Sequence, residues 1–415
     1  MKKLIVLFLV FSLAFGMTAC SQGSTNDLMK DVPAKAVDVL SDMDAGASAA
    51  ADFGVRLFKS SMEEGKNTLI SPLSVLYALA MTTNGADGET LAQMEQVLGM
   101  DCENLNSFML AYLDLLPEGK AYKMSLANSI WFKDDPNFVV EQSFLQTNAD
   151  YYGANAYKAA FDEGTRNDIN NWVKDHTDGM IPEIIDEIPK EAIMYLVNAL
   201  AFEAEWEEDY KEHQVWEEDF TTEDGTRQDA EMMYSQEHTY LEDDLATGFL
   251  KYYKDRRYAF VAMLPNEGIT VSEYVNTLSG EQLQNLLDNP LDVTVYATMP
   301  KFETKYGTEM SEVLQKMGIV DAFDARVADF SRLGTFNADG MNICINRVFH
   351  KTFISVTELG TRAGAATAVE LECGGAAIEM DYKEVALDRP FVYMLIDCET
   401  NLPFFIGTMM NVNGD

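Results

Sequence analysis

The side chains able to move protons or hold metals are few and scattered. The four histidines are His176, His213, His238 and His350. None sits in an H-E-x-x-H pattern, and no two share a ligand spacing. No G-x-S-x-G nucleophile elbow, dinucleotide glycine pattern or phosphate loop appears. Acidic pairs such as Glu207-Glu208 and Glu217-Glu218 are common in a chain with 68 Asp and Glu residues. Glycoside hydrolysis needs two carboxylates at a defined separation in space, which adjacency does not supply. Cys102, Cys344, Cys373 and Cys398 lie too far apart for a CxxC unit or a metal set. They read as buried or half-buried thiols, and their pairing stays open. The residues therefore predict no enzyme, no metal and no cofactor.

Chemistry of another kind is written in Glu358 to Cys373, a stretch that reads like a loop but is patterned like a strand. Its first half is small: Gly360, Ala363, Gly364, Ala365 and Ala366. From Thr361 it alternates. One face carries Thr361, Ala363, Ala365, Thr367, Val369, Leu371 and Cys373; the other carries Arg362, Gly364, Ala366, Ala368, Glu370 and Glu372. Period-two alternation with an increasingly apolar face marks a half-buried strand. Two readings stand: an edge or hairpin strand, or a segment that is exposed first and becomes a sheet strand later.

The rest of the chain is large enough to house such a segment. It has 415 residues, 47% of them apolar and 24% charged, which excludes a disordered chain. The net charge of −38 disfavours nucleic acid and anionic membrane surfaces. It predicts a well solvated surface, or steering toward a basic partner. Lys2 and Lys3 precede an apolar run, Leu4 to Phe15, too short to span a bilayer. With Met17-Thr18-Ala19 before Cys20, this resembles a bacterial lipoprotein signal whose Cys is acylated, although Met17 stands where Leu is usual. Plain secretory cleavage is the alternative. Residues 1–19 then form the signal, 20–48 a flexible tether interrupted by Pro33, and 49–415 the folded domain.

Within the domain, helices come mostly first. Phe53, Leu57 and Phe58 fall at helix spacing. Ser71-Pro72 suits a cap and first turn for a helix ending near Asn84-Gly85. Helices are also predicted over Glu89–Leu98, Ser143–Tyr151, Asp168–His176, Val271–Leu278 and Met310–Met317. Strands are predicted over Met124–Phe132, Tyr258–Leu264, Leu291–Phe302, Gly340–Ile345 and Phe353–Val356. Ala192–Phe202, apolar nearly throughout, reads as a central strand buried on both faces. Phe391–Ile396 and Phe404–Met409 flank a hairpin signal at Glu399-Thr400-Asn401. The class is α+β with large, mainly antiparallel sheets.

Several of these stretches together resemble the serpin family over about residues 49–412. They are Asn67 to Ser71-Pro72-x-Ser74 with Gly85-Ala86, and Ile169-Asn170-Asn171-Trp172-Val173 with Gly179. Leu196-Val197-Asn198-Ala199 leads to Phe202 and Trp206. Then follow Pro300-Lys301-Phe302, Met317-Gly318-Ile319, His350-Lys351, the hinge from Glu358, Asp388-Arg389-Pro390-Phe391 and Pro403 to Gly407. Each is weak alone; their order carries the resemblance.

The resemblance implies three β-sheets, about eight or nine helices and an exposed reactive-centre loop near residues 358–387. It implies a metastable inhibitor that offers this loop to a serine, or also a cysteine, endopeptidase. The cleaved loop inserts into the main sheet while the protease is held as an acyl-enzyme. Glu358, Gly360, Thr361, Ala363, Gly364, Ala365, Ala366 and Thr367 would be the hinge, its small residues letting it enter between strands. Leu359 and Arg362 depart from the usual hinge pattern. Ser71, Ser74, Asn198 and His350 resemble the polar cluster that controls sheet opening. Trp206, Lys301 and Glu358 resemble the upper end where insertion begins. Counting forward from the hinge puts the cut at Gly374-Gly375; counting back from Pro390 puts it at Glu379-Met380. Cys373, Gly374, Gly375, Ile378 and Met380 are the candidates, and they suit elastase-, subtilisin- or papain-like enzymes. The expected state is a monomeric lipoprotein of the cell surface or outer membrane, or one released outside, touching the membrane only through Cys20. The alternative is a non-inhibitory serpin acting as a surface binding protein.

Overall fold

The computed structural model describes residues 25–37, 42–116, 122–189, 192–337, 341–361 and 382–414. Among these are nine α-helices and three sheets, of seven, nine and two strands. The class is α+β, as predicted. The sheets are nevertheless mixed: three ladders are parallel, including the one between Met194–Glu205 and Arg347–Thr357 at the centre of the seven-stranded sheet.

That sheet runs Asn26–Asp27, Asn155–Ala159, Tyr122–Lys133, Met194–Glu205, Gly360–Thr361, Arg347–Thr357, Phe302–Glu309. The central strand Met194–Glu205 is sandwiched between two apolar layers, which explains its nearly unbroken apolar sequence. Met194, Leu196, Leu200 and Phe202 join the main core, beside the buried helix Pro72–Thr83. Tyr195, Val197, Ala199 and Ala201 face the other way, toward a smaller cluster. There they meet Ile169 and Val173 from helix Glu163–His176.

Local signals placed several boundaries well. Ser71 caps its helix by accepting a hydrogen bond from the Ser74 N–H at 3.2 Å, with Pro72 in the first turn. The C-terminal hairpin forms between Phe391–Asp397 and Leu402–Met409, with Asn401 in a left-handed conformation (φ 54°).

Other readings need correction. The predicted strand Leu291–Phe302 is two strands in different sheets, Leu291–Pro300 and Phe302–Glu309, hinged at Lys301. Both halves are extended, so no change of period marks the switch. The predicted strand Gly340–Ile345 does not form over its described residues, 341–345. Ile343, Cys344 and Ile345 are instead buried in irregular chain, where apolar patterning reports burial rather than a ladder. Nor is the whole of 20–48 a free tether. Asn26–Asp27 pairs with Tyr157 and Lys158 at the sheet edge, Val32 is buried, and a helix starts at Met43. A short polar strand with one apolar anchor carries too little periodicity to be seen in sequence. No helix among the described residues is long and apolar enough to cross a membrane.

Candidate functional site

The site is the seam between Met194–Glu205 and Arg347–Thr357. Low on the seam the two strands pair directly, from Arg347 opposite Tyr195 to Phe353 opposite Ala201. At its upper end they part. Gly360–Thr361 lies between them, pairing with Ala204 and Glu205 on one side and with Val356 and Thr357 on the other. The first two strand residues of the hinge are thus already in the sheet. Thr361 is completely buried, and its hydroxyl meets that of Tyr253, so this one residue of the predicted inward face points into the main core. Gly360 has φ 145°, and a Cβ there would come within 2.1 Å of the Ala204 carbonyl oxygen. No other residue fits without shifting the strand.

Three aromatic residues hold the hinge. The Trp206 indole N–H donates to the Thr357 carbonyl at 2.8 Å. The Trp206 backbone N–H donates to the Leu359 carbonyl at 3.1 Å, and that of Tyr210 to the Glu358 carbonyl at 3.0 Å. The Tyr253 ring stacks on Trp206 with centroids 4.4 Å apart and planes 9° from parallel. Its hydroxyl is hydrogen-bonded to that of Thr361. Burial pushes the Tyr253 phenol well up, so it stays neutral.

Lys301 and Glu358 pair as expected, 3.0 Å apart, and Glu231 shares the ammonium at 3.3 Å. A backbone hydrogen bond, then Lys301, lowers the Glu358 carboxyl below its usual range. Burial works to lower Lys301, but its bonds to Glu358 and Glu231 outweigh that and raise it.

Midway down the seam lies the polar cluster. His350 and Asn198 are register partners, with the imidazole Nδ1 2.5 Å from the Asn198 side-chain oxygen. His350 Nε2 accepts from the Ser71 N–H at 3.1 Å, so Nδ1 carries the proton and donates. The Ser74 hydroxyl donates to the same Asn198 oxygen at 3.3 Å. Burial lowers His350 to about 3, so it is neutral. The four predicted residues therefore meet, and they tie the helix Pro72–Thr83 to both strands of the seam.

Sequence reading missed Asn128, Tyr210, Tyr253 and Glu231. Asn128 lies opposite Asn198 in the next strand, and its buried amide makes no hydrogen bond among the described residues. Polar residues inside an apolar strand pattern were the signal for Asn128. The other three come from distant strands or loops and carry no local signal. Ala363, Gly364, Ala365, Ala366, Thr367, Cys373, Gly374, Gly375, Ile378, Met380 and Cys20 lie outside the described residues. The chain resumes at Tyr382–Ala386, an edge strand parallel to Leu291–Pro300 in the nine-stranded sheet. Thr361 and Tyr382, the described residues on either side, thus lie at a central seam in one sheet and at the edge of another.

Residues 48–412 match the model of the family described as Serpin (serine protease inhibitor). The chain is a serpin. Serpins are generally protease inhibitors. This serpin is 30% identical over 401 residues to a serpin-like protein of Thermococcus kodakarensis, covering 94% of this chain and 92% of that one. It is 46% identical to the thermophilic serpin tengpin. Against the native state of tengpin the TM-score is 0.89, covering 93% of this chain and 99% of that one. Against its latent state the TM-score is 0.77, covering 90% and 98%. The conformation described here is nearer the native one.

Proposed function

We propose that this serpin is a suicide-substrate inhibitor of serine endopeptidases, extending to cysteine endopeptidases, of elastase-, subtilisin- or papain-like preference. The protease nucleophile attacks a carbonyl within residues 373–380. The peptide bond breaks, the new amino terminus leaves with the C-terminal piece, and an acyl-enzyme joins the protease to the N-terminal piece. The hinge then continues the strand begun at Gly360–Thr361 and drives down the seam. Each new ladder bond adds about 0.5–1.5 kcal/mol, and burying Val369 and Leu371 about 1.5–3 kcal/mol each.

The observation that carries this reading is Thr361, buried between two strands that pair with each other immediately below it. Insertion needs only to unzip seven register pairs, Arg347 to Phe353 against Tyr195 to Ala201. The central strand shows the overlying helix only Tyr195 and small or β-branched residues.

The test is incubation of the purified protein with elastase, subtilisin and papain. A denaturant-resistant adduct with at least one is expected, and mass spectrometry of the released C-terminal peptide locates the bond. Cleavage by all three without an adduct would refute inhibition and favour a non-inhibitory surface binding protein. Thr361→Arg, which places a charge at a fully buried position, should turn the inhibitor into a substrate. For the lipid anchor at Cys20 and a cell-surface or outer-membrane location, Cys20→Ala should release the protein from membranes. Unchanged retention would count against acylation.

A further inference from the structure

We propose that Lys251 is a positioning residue for hinge threading, its buried ammonium pinning two of the three aromatic residues that hold the hinge. This rests on the reading of the upper seam as the place where the loop enters. Lys251 lies on strand Ala246–Tyr252 and is only 3% exposed. A lysine is almost never buried without partners. Its Nζ donates to the Glu237 carboxylate at 2.9 Å and to the Glu208 carbonyl at 3.3 Å. It also sits 4.4 Å from the centre of the Tyr210 ring and 5.4 Å from that of Trp206. Both are within cation–π range, and the site is dry enough for that attraction to matter.

Apart from its counter-ion Glu237, on strand Arg227–Glu242, the partners of this ammonium belong to one short segment. Glu208 lies between Trp206 and Tyr210, the residues whose backbone N–H groups hold the Leu359 and Glu358 carbonyls. The third anchor, Tyr253, follows Lys251 by two residues and stacks on Trp206. An apolar side chain could fill the same space at lower desolvation cost, so a buried pair here is weak evidence for a stability role. What the charge adds is direction: it draws the Glu208 carbonyl and both ring faces to one point. The backbone N–H groups of Trp206 and Tyr210 are thereby aimed at the hinge. Without that focus the hinge carbonyls lose fixed donors, Thr361 is held less firmly at the top of the seam, and insertion after cleavage starts later. Delay favours completed hydrolysis over trapping.

The test compares Lys251→Met, which keeps the length and removes the charge, with Lys251→Arg, which keeps the charge. Amide hydrogen exchange at Trp206 and Tyr210 and the stoichiometry of inhibition are measured on the intact protein. In K251M, exchange at these two amides should rise about tenfold, on the scale of a lost desolvated cation–π contact. The fraction of loop cleaved without an adduct should rise as well, and K251R should stay near the starting protein in both. Unchanged exchange at Trp206 and Tyr210 in a folded K251M would overturn the proposal. Exchange accelerated equally throughout the protein would overturn it too, by revealing a purely structural residue. If the starting protein traps no protease, the inhibitory reading fails, and the exchange measurement still decides on Lys251. Should K251M not fold, Lys251→Gln removes the charge while keeping a polar side chain. Faster exchange at the same two amides supports the proposal, and unchanged exchange rejects it.

Discussion

The Tyr253 hydroxyl is hydrogen-bonded to the Thr361 hydroxyl, joining the residue just after strand Ala246–Tyr252 of the nine-stranded sheet to the last described residue of the hinge. Both side chains are fully buried. Tyr253→Phe removes one partner and leaves the Thr361 hydroxyl without its donor or acceptor, at a cost of about 1–3 kcal/mol. Thr361→Val removes the other. The double variant leaves neither group stranded and should be more stable than the sum of the single effects predicts. Thermal midpoints at one fixed scan rate for the four proteins would measure this, because unfolding of a kinetically trapped state depends on rate.

Gly360→Ala asks a steric question. The added Cβ would meet the Ala204 carbonyl oxygen at 2.1 Å, on a backbone with φ 145°. Thr361 should then leave the seam. The expected outcome is a lower thermal midpoint and fast amide exchange at Ala204 and Glu205. Slow exchange there, as in the starting protein, would show that the strand tolerates the methyl group.

His350 predicts a pH dependence with a definite sign. Burial lowers it to about 3 in the folded protein, against about 6.5 in an unfolded chain. Its contribution to stability is full above pH 6.5 and is lost as the pH falls, because only the unfolded chain then binds the proton. The loss reaches about 2 kcal/mol by pH 5 and levels off near pH 3. Subtracting the pH profile of His350→Gln from that of the starting protein isolates this contribution. A flat difference between pH 7.5 and 5 would mean the imidazole is not held neutral.

Val32 tests the docked N-terminal segment. It is buried 8% exposed beside the edge pairing of Asn26–Asp27 with Tyr157 and Lys158. Val32→Asp should cost about 1.5–3 kcal/mol and release residues 25–37, seen as proteolytic sensitivity there. Protection equal to that of the starting protein would mean the strand pairing alone holds the segment.

The ion pair Lys301–Glu358 is a smaller effect. Both groups keep solvent contact, with side-chain exposures of 21% and 40%. Glu358→Gln should cost no more than about 1 kcal/mol, and less in high salt. The Glu358 carboxyl is lowered on folding, so its share is present above its unfolded range and fades as the pH falls through the folded value. Thermal midpoints of both proteins in low and high sodium chloride check this.

Much of the site was legible because it is built from local signals. Ser71-Pro72 announces a capped helix and the apolar run around Asn198 a central strand. The hinge needs small residues, and composition displays them directly. The misreadings fell where pattern and partner separate. Leu291–Phe302 looks like one strand because extended chain has the same period on both sides of Lys301. Residues 341–345 look like a strand because burial alone also selects apolar side chains. The segment 25–37 looks like tether because two ladder residues and one valine leave almost no periodicity.

By itself the sequence determined the family resemblance and several elements, among them the capped helix after Ser71 and the central strand through Asn198, since each depends on neighbours within a few residues or on the order of short motifs. Tertiary structure alone decided that Gly360 and Thr361 lie in the sheet and what holds them there. Tyr253, Tyr210, Glu231 and Lys251 act across gaps of many residues, through contacts that exist only once the strands are paired. A completely buried Thr361 is likewise a property of two strands that part around it, not of its own place in the chain.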